Sequence, residues 1–219
     1  MKNGIFYIAL LVLLSACQPS QNKTLEAQLQ PDEATFIQGY QAILNDYLKE
    51  PDDTIFREKL TKLMRVAPTQ SDVPHILQVQ TDIQIQLGHF DEAIKSNNAL
   101  FYVQPHADTR YLNCTLLELA KRSDKDIKNC YNQAAQLYKK ASSKYKPASS
   151  EFQDQYFFYQ LSMLQAGYDN FHEKIKEYIS TLPDEKQDDF NDQYEMVAKP
   201  QEHTTFLESV RQGQWTRLS

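Results

Sequence analysis

After Pro31 the apolar residues of this chain recur at spacings of three and four, the period of an amphipathic helix. The sharpest case runs from Leu87 to Pro105. Gly88 marks a turn, after which Phe90, Ala93, Ile94, Asn97, Leu100 and Phe101 fall on one helical face and Pro105 stops the run. Small Ala93 sits where a partner helix must approach closely. Upstream, Phe36, Tyr40, Ile43 and Tyr47 predict one helix, with Asp32 and Glu33 suited to its first turn. Pro51-Asp52-Asp53 breaks it, and Ile55, Phe56, Leu60, Leu63 and Met64 predict an antiparallel partner that Pro68 closes.

Between these hairpins the pattern conflicts with itself. Leu77, Val79, Ile83, Ile85 and Leu87 alternate with Gln78, Gln80, Asp82, Gln84 and Gln86, which by itself predicts a half-buried strand. Ile76, Val79, Ile83 and Leu87 equally fit a helix. We assign helix, because Ser71 or Asp72 can cap it, Pro74 suits a first turn, and no second strand exists elsewhere to pair with it.

Beyond Pro105 the plan repeats. Leu112, Leu116 and Leu119 predict one helix, Lys121 to Asp124 the turn, and Ile127, Tyr131, Ala134, Leu137 and Ala141 the return, with Ser123 and Asp126 placed as a capping box. Lys146 to Ser150 breaks the chain again. Phe152, Tyr156, Tyr159 and Met163 then precede a turn at Gly167, and Phe171, Ile175, Tyr178, Ile179 and Leu182 follow it. Pro183 opens an acidic helix carrying Phe190, Tyr194 and Val197, and Pro200 opens a last one around Phe206 and Val210. These final elements read as a cap on an open stack, with Trp215 folding back on them.

A glycine turn, an aromatic two residues later, an alanine three further and a proline about a dozen after that resembles the second half of a tetratricopeptide repeat. The resemblance covers Ile76 to Pro105; later units depart from the regular period, so no ligand site is carried over. The expected fold class is all-α, with antiparallel helical hairpins stacked as a short TPR-like solenoid.

The N-terminus has a different pattern. Lys2 precedes an apolar run from Ile5 to Leu14, followed by Leu14-Ser15-Ala16-Cys17. The run is too short for a permanent membrane span, and small residues before a cysteine resemble the lipobox of bacterial lipoprotein precursors. That resemblance implies a signal peptide over 1–16, cleavage before Cys17, acylation (palmitate among the acyl chains) of Cys17, and anchorage in the membrane. Gln18, where an aspartate would retain the protein at the inner membrane, implies an outer-membrane lipoprotein facing the periplasm. Residues 17–30 then form a flexible tether of reach roughly 20 Å, and 31–219 a single helical-repeat domain.

The net charge is −6 and becomes −7 without Lys2, which argues against nucleic acid as a partner. With Cys17 committed to lipid, Cys114 and Cys130 remain. They lie equally far either side of Arg122, so in an antiparallel hairpin they come level, and an oxidising compartment favours a disulfide over two unrelated buried thiols.

No catalytic motif emerges. Gly4, Gly39, Gly88, Gly167 and Gly213 are far apart, whereas phosphate loops, dinucleotide fingerprints and nucleophile elbows need clustered glycines. His75, His89, His106, His172 and His203 lack paired metal-ligand spacing. His172-Glu173 and the acidic residues from Asp184 to Glu195 read as wet helical surface, so no cofactor or metal is expected. Tyr131, Tyr138 and Tyr145 recur every seven residues, and eight cations fall between Lys121 and Lys146. Where the two features adjoin, Tyr138, Lys139, Lys140 and Tyr159 are the candidate partner-binding residues. The expected function is a non-enzymatic lipoprotein binding an envelope protein, either in assembly and scaffolding or as immunity against a toxin delivered to the periplasm. The competing class is an envelope enzyme acting on or regulating peptidoglycan.

Overall fold

The computed structural model describes residues 31–69 and 71–213, so the leader, Cys17, the tether and Trp215 lie outside the described residues. Among those described there are ten helices and no strand: α1 (Pro31–Lys49), α2 (Asp53–Met64), α3 (Pro74–Leu87), α4 (Phe90–Val103), α5 (Ala107–Leu119), α6 (Asp124–Ser142), α7 (Ser150–Gln165), α8 (Phe171–Ser180), α9 (Asp184–Ala198) and α10 (Pro200–Arg211). The protein is all-α, and within each of its two compact units consecutive helices pack against one another. The chain divides at Gln104 and Pro105 into two compact units, one carrying α1–α4 and the other α5–α10.

In the first unit, Phe36, Ile37 and Tyr40 of α1, Phe56 and Leu60 of α2, and Ile76, Val79, Ile83 and Leu87 of α3 form one core. Asp52 starts α2 by accepting from the Thr54 and Ile55 amides, both at 2.9 Å, which satisfies two otherwise orphaned donors. Gly39 lets α2 come close, because a Cβ there would lie 2.9 Å from a Leu63 methyl. The start of α3 differs from expectation. Its cap is Val73, with no side-chain bond, and Pro74 occupies the first turn. Ser71 instead accepts from the Val73 amide at 3.2 Å and donates to Glu33 at 2.8 Å, which ties α3 to α1.

The alternating stretch is helical because it is buried on more than one side. One row, Ile76, Val79, Ile83 and Leu87, enters the core with α1 and α2. A second row, Leu77, Thr81 and Ile85, spaced by four, is buried as well, and α3 also packs on α4. Two helical stripes offset by one residue produce a false period of two. The Gly88 turn is as expected: φ is +76°, the His89 amide donates to the Gln84 carbonyl at 2.8 Å and the Gly88 amide to Ile85 at 2.9 Å. Ala93 and Asn97 of α4 are fully buried.

The second unit uses the same turn twice more. After α7, Gly167 has φ +94°, and the Tyr168 amide reaches the Met163 carbonyl at 3.2 Å. After α5 the left-handed position is filled by Lys121 at φ 53°, with the Arg122 amide on the Leu117 carbonyl at 2.9 Å. The middle hairpin therefore keeps the turn geometry while lacking its glycine. Ser123 caps α6 by accepting from the Asp126 amide at 3.2 Å, and its hydroxyl donates to the Asp126 carboxylate at 2.6 Å. The carboxylate thus meets the hydroxyl and completes only half of the expected box.

Helix α9 packs on α7 and α8, with Phe190 stacked on Phe157 at 4.1 Å between ring centroids. Helix α10 returns to α5. Arg211 donates to the Leu119 carbonyl at 2.9 Å and the Glu118 carbonyl at 2.6 Å, so it satisfies the last turn of α5, and His203 meets the Glu118 carboxylate at 3.1 Å. The expected terminal cap thus folds back onto the first helix of its own unit.

Candidate functional site

Cys114 on α5 and Cys130 on α6 form a disulfide, with Cα atoms 5.4 Å apart. The antiparallel register about the Lys121 turn brings them level, and both are buried beside Tyr131 and Ala134.

That same face decides the fate of the tyrosine stripe. Tyr131 is adjacent to Cys130, and Tyr138 follows it by two turns, so both rings point across the hairpin toward α5. Both are fully buried. The Tyr131 hydroxyl donates to Glu118 at 2.8 Å, and that of Tyr138 to Asp108 at 2.6 Å. Burial, and then the neighbouring carboxylate, push both hydroxyls well above the usual tyrosine range. Tyr138 also stacks on Phe158 at 5.5 Å and meets Tyr111 edge-on at 6.2 Å. Its assignment as a partner-binding residue is therefore corrected: it is a core residue whose one polar atom is satisfied internally. Only Tyr145, past the end of α6, reaches the surface.

The other three candidates are on the surface. Lys139 and Lys140 are exposed at the C-terminal end of α6, and Tyr159 of α7 is half-buried. The Lys139 ammonium lies 5.8 Å from the centroid of the Tyr159 ring, at the edge of cation–π range. Tyr159 is held edge-on by Phe171 at 5.9 Å and flanked by Tyr156 at 5.8 Å. The ring is thus fixed by packing from α7 and α8 while part of it remains exposed beside two cations. Lys125 and Lys128 continue the cationic surface of this helix, Lys144 and Lys146 extend it past the helix end, and all are exposed.

Two histidines carry roles that pattern reading did not find. His172 Nδ1 lies 2.9 Å from the Tyr194 hydroxyl, joining α8 to α9. His203 belongs to a chain in which Glu118 bridges it to Tyr131. The first tie joins consecutive helices and the second joins elements 85 residues apart, and nothing local encodes either pairing. Among the described residues no group of three or more histidine, cysteine or carboxylate side chains is placed to hold a metal ion. Asp184, Glu185, Asp188, Asp189, Asp192 and Glu195 all lie exposed along α9. A shallow, mainly apolar groove of about 310 Å³ lies between α1 and α2, lined by Asp32, Thr35, Phe36, Leu63 and Val66. No described helix is long and apolar enough to cross a membrane.

No protein-family model, curated protein or solved structure matches this chain.

Proposed function

We propose that this protein is a non-enzymatic lipoprotein, anchored through acylated Cys17 to the outer membrane and facing the periplasm, that binds an envelope protein through the outer face of α6 and α7 around Lys139, Lys140 and Tyr159. The observation that carries the reading is the pairing of Lys139 with a tyrosine ring that neighbouring aromatics hold in place and leave partly uncovered. A rigid aromatic costs little conformational entropy when it docks, and adjacent cations steer an acidic partner onto it. Buried anchors of this kind dominate association energies, while rim charges act mainly on the rate of encounter. The partner on this reading is a component of an envelope assembly or, within the same class, a toxin delivered to the periplasm that the protein neutralises.

Crosslinking from native membranes, followed by mass identification, tests the partner. Lys139→Glu with Lys140→Glu should slow association in a salt-dependent way, and Tyr159→Ala should speed dissociation with helical content unchanged. If the lysine and tyrosine variants fold and capture the partner at full rate and affinity, the surface is wrongly assigned. The anchor has its own test: Cys17→Ser should abolish labelling by a fatty-acid analogue, and labelling that survives the change removes the lipoprotein reading.

A further inference from the structure

The cations of α6 and the carboxylates of α9 are segregated on one chain, and both sets are left uncompensated. Residues 127–150 contain five lysines, Lys128, Lys139, Lys140, Lys144 and Lys146, and no carboxylate. On α9, Asp184, Glu185, Asp188, Asp189 and Asp192 form adjacent rows at i, i+4 spacing, all exposed. Among the described residues, no ion pair joins any of these lysines to any of these carboxylates. The pairs made by α9 are Lys186 with Asp154 and Glu195 with Lys199. Helix dipoles explain only the ends of each set. They favour Lys139 and Lys140 in the last turn of α6 and Asp184 and Glu185 in the first turn of α9, but the effect fades within one turn. Asp188, Asp189 and Asp192 stand beyond it, where like charges at i, i+4 and i, i+3 repel one another.

We infer that these two faces are the halves of one contact between copies of this chain, the Lys139, Lys140 and Lys144 cluster of one molecule meeting the Asp188, Asp189 and Asp192 cluster of the next. Asp188 to Asp192 spans roughly 6 Å of helix axis and Lys139 to Lys144 roughly 7.5 Å if helical spacing continues past the end of α6 at Ser142, so the two sets match in length. Each molecule carries one face of each sign, so a second copy can be met head to tail or reciprocally in a closed pair. The net charge of −6 opposes this at very low ionic strength. Near physiological salt the Debye length of about 8 Å screens repulsion between whole molecules more than it screens touching pairs. Exposed pairs are individually weak, so the contact is a dilute-solution equilibrium. Confinement on a membrane raises its occupancy, a consequence that rests on the lipid anchor proposed above.

Sedimentation velocity of the full chain in a neutral detergent, at about 0.1 mM protein, tests the inference. The wild type should sediment as a mixture of monomer and larger species near 0.1 M salt and as monomer near 0.5 M. Lys139→Glu/Lys140→Glu/Lys144→Glu and Asp188→Lys/Asp189→Lys/Asp192→Lys should each be monomeric alone, and an equimolar mixture of the two should associate again. That rescue separates a specific contact from damage to the fold, and circular dichroism checks each variant. Should the lysine variant lose helical content, Lys139→Gln/Lys140→Gln takes its place and should weaken wild-type association at least about tenfold. Wild type that stays monomeric at every salt concentration overturns the inference, as does self-association that survives both charge reversals or a mixture that remains monomeric. The aspartate variant leaves Lys139, Lys140 and Tyr159 intact, so loss of self-association there leaves the partner surface to be judged separately.

Discussion

Removing the disulfide should weaken the second unit alone. Cys114 and Cys130 are 16 residues apart, and closing a loop of that length removes chain entropy from the unfolded state worth about 3 kcal/mol at 25 °C. The cleanest perturbation is the double variant Cys114→Ala/Cys130→Ala, because a single change leaves a lone buried thiol. In a unit of about a hundred residues, a loss of 3 kcal/mol corresponds to a fall of roughly 10 to 20 °C in melting temperature. Urea unfolding followed by circular dichroism, with amide hydrogen exchange to assign each transition, reads the effect. Protection of α5 and α6 amides should drop while that of α1 to α4 amides holds. Reductant should bring the wild type down to the double variant and leave the variant unchanged. A variant within about 0.5 kcal/mol of oxidised wild type would refute the loop-entropy reasoning. Equal loss in both units would refute their separation into two.

Three further outcomes follow from individual side chains. Tyr138→Phe should cost about 1 to 3 kcal/mol, because it removes the hydrogen bond that the buried hydroxyl donates to the half-buried Asp108 carboxylate. Tyr138→Ala should cost about 3 to 5 kcal/mol; a Tyr138→Ala protein of wild-type stability would show that the ring is not in the core. Lys121→Gly should raise stability by up to about 1 kcal/mol by relieving a left-handed residue that carries a Cβ, and a loss in thermal unfolding would contradict the turn assignment. Asp82 is buried in α3, its Oδ1 has no hydrogen-bond partner, and desolvation holds its carboxyl well above the usual 3.8. Its folded state keeps the proton that the unfolded state loses. The stability it contributes is therefore fully present below about pH 4 and is lost as pH rises through the folded value. Asp82→Asn should flatten that decline in the first unit, and an unchanged pH slope would count against it.

The hairpin plan was legible because each unit repeats the same local bargain between an apolar stripe and a chain-reversing residue. Gly88 and Gly167 announced their turns by composition. The equivalent turn at Lys121 did not, since a lysine carries no mark of positive φ and only the flanking stripes locate it. The alternation around Val79 to Leu87 was ambiguous for a comparable reason: a helix buried on two sides carries two offset stripes, and one-dimensional periodicity cannot separate them from a strand.

At the candidate surface, sequence alone determined that cysteines equidistant from a turn would meet, that cations would gather on α6 and carboxylates on α9, and that aromatic residues would crowd α6 and α7. These are counts and spacings, which the chain carries before it folds. Tertiary structure decided which tyrosines are available. Tyr138 turned inward because its face of α6 lies against α5, while Tyr159 stayed half open although Phe171 and Tyr156 pack on it. Structure likewise decided that α10 closes on α5 through His203 and Arg211, a contact between residues about ninety positions apart. Burial depends on which elements meet, and that is settled by the packing of all the stripes together, a property no single stretch of sequence contains.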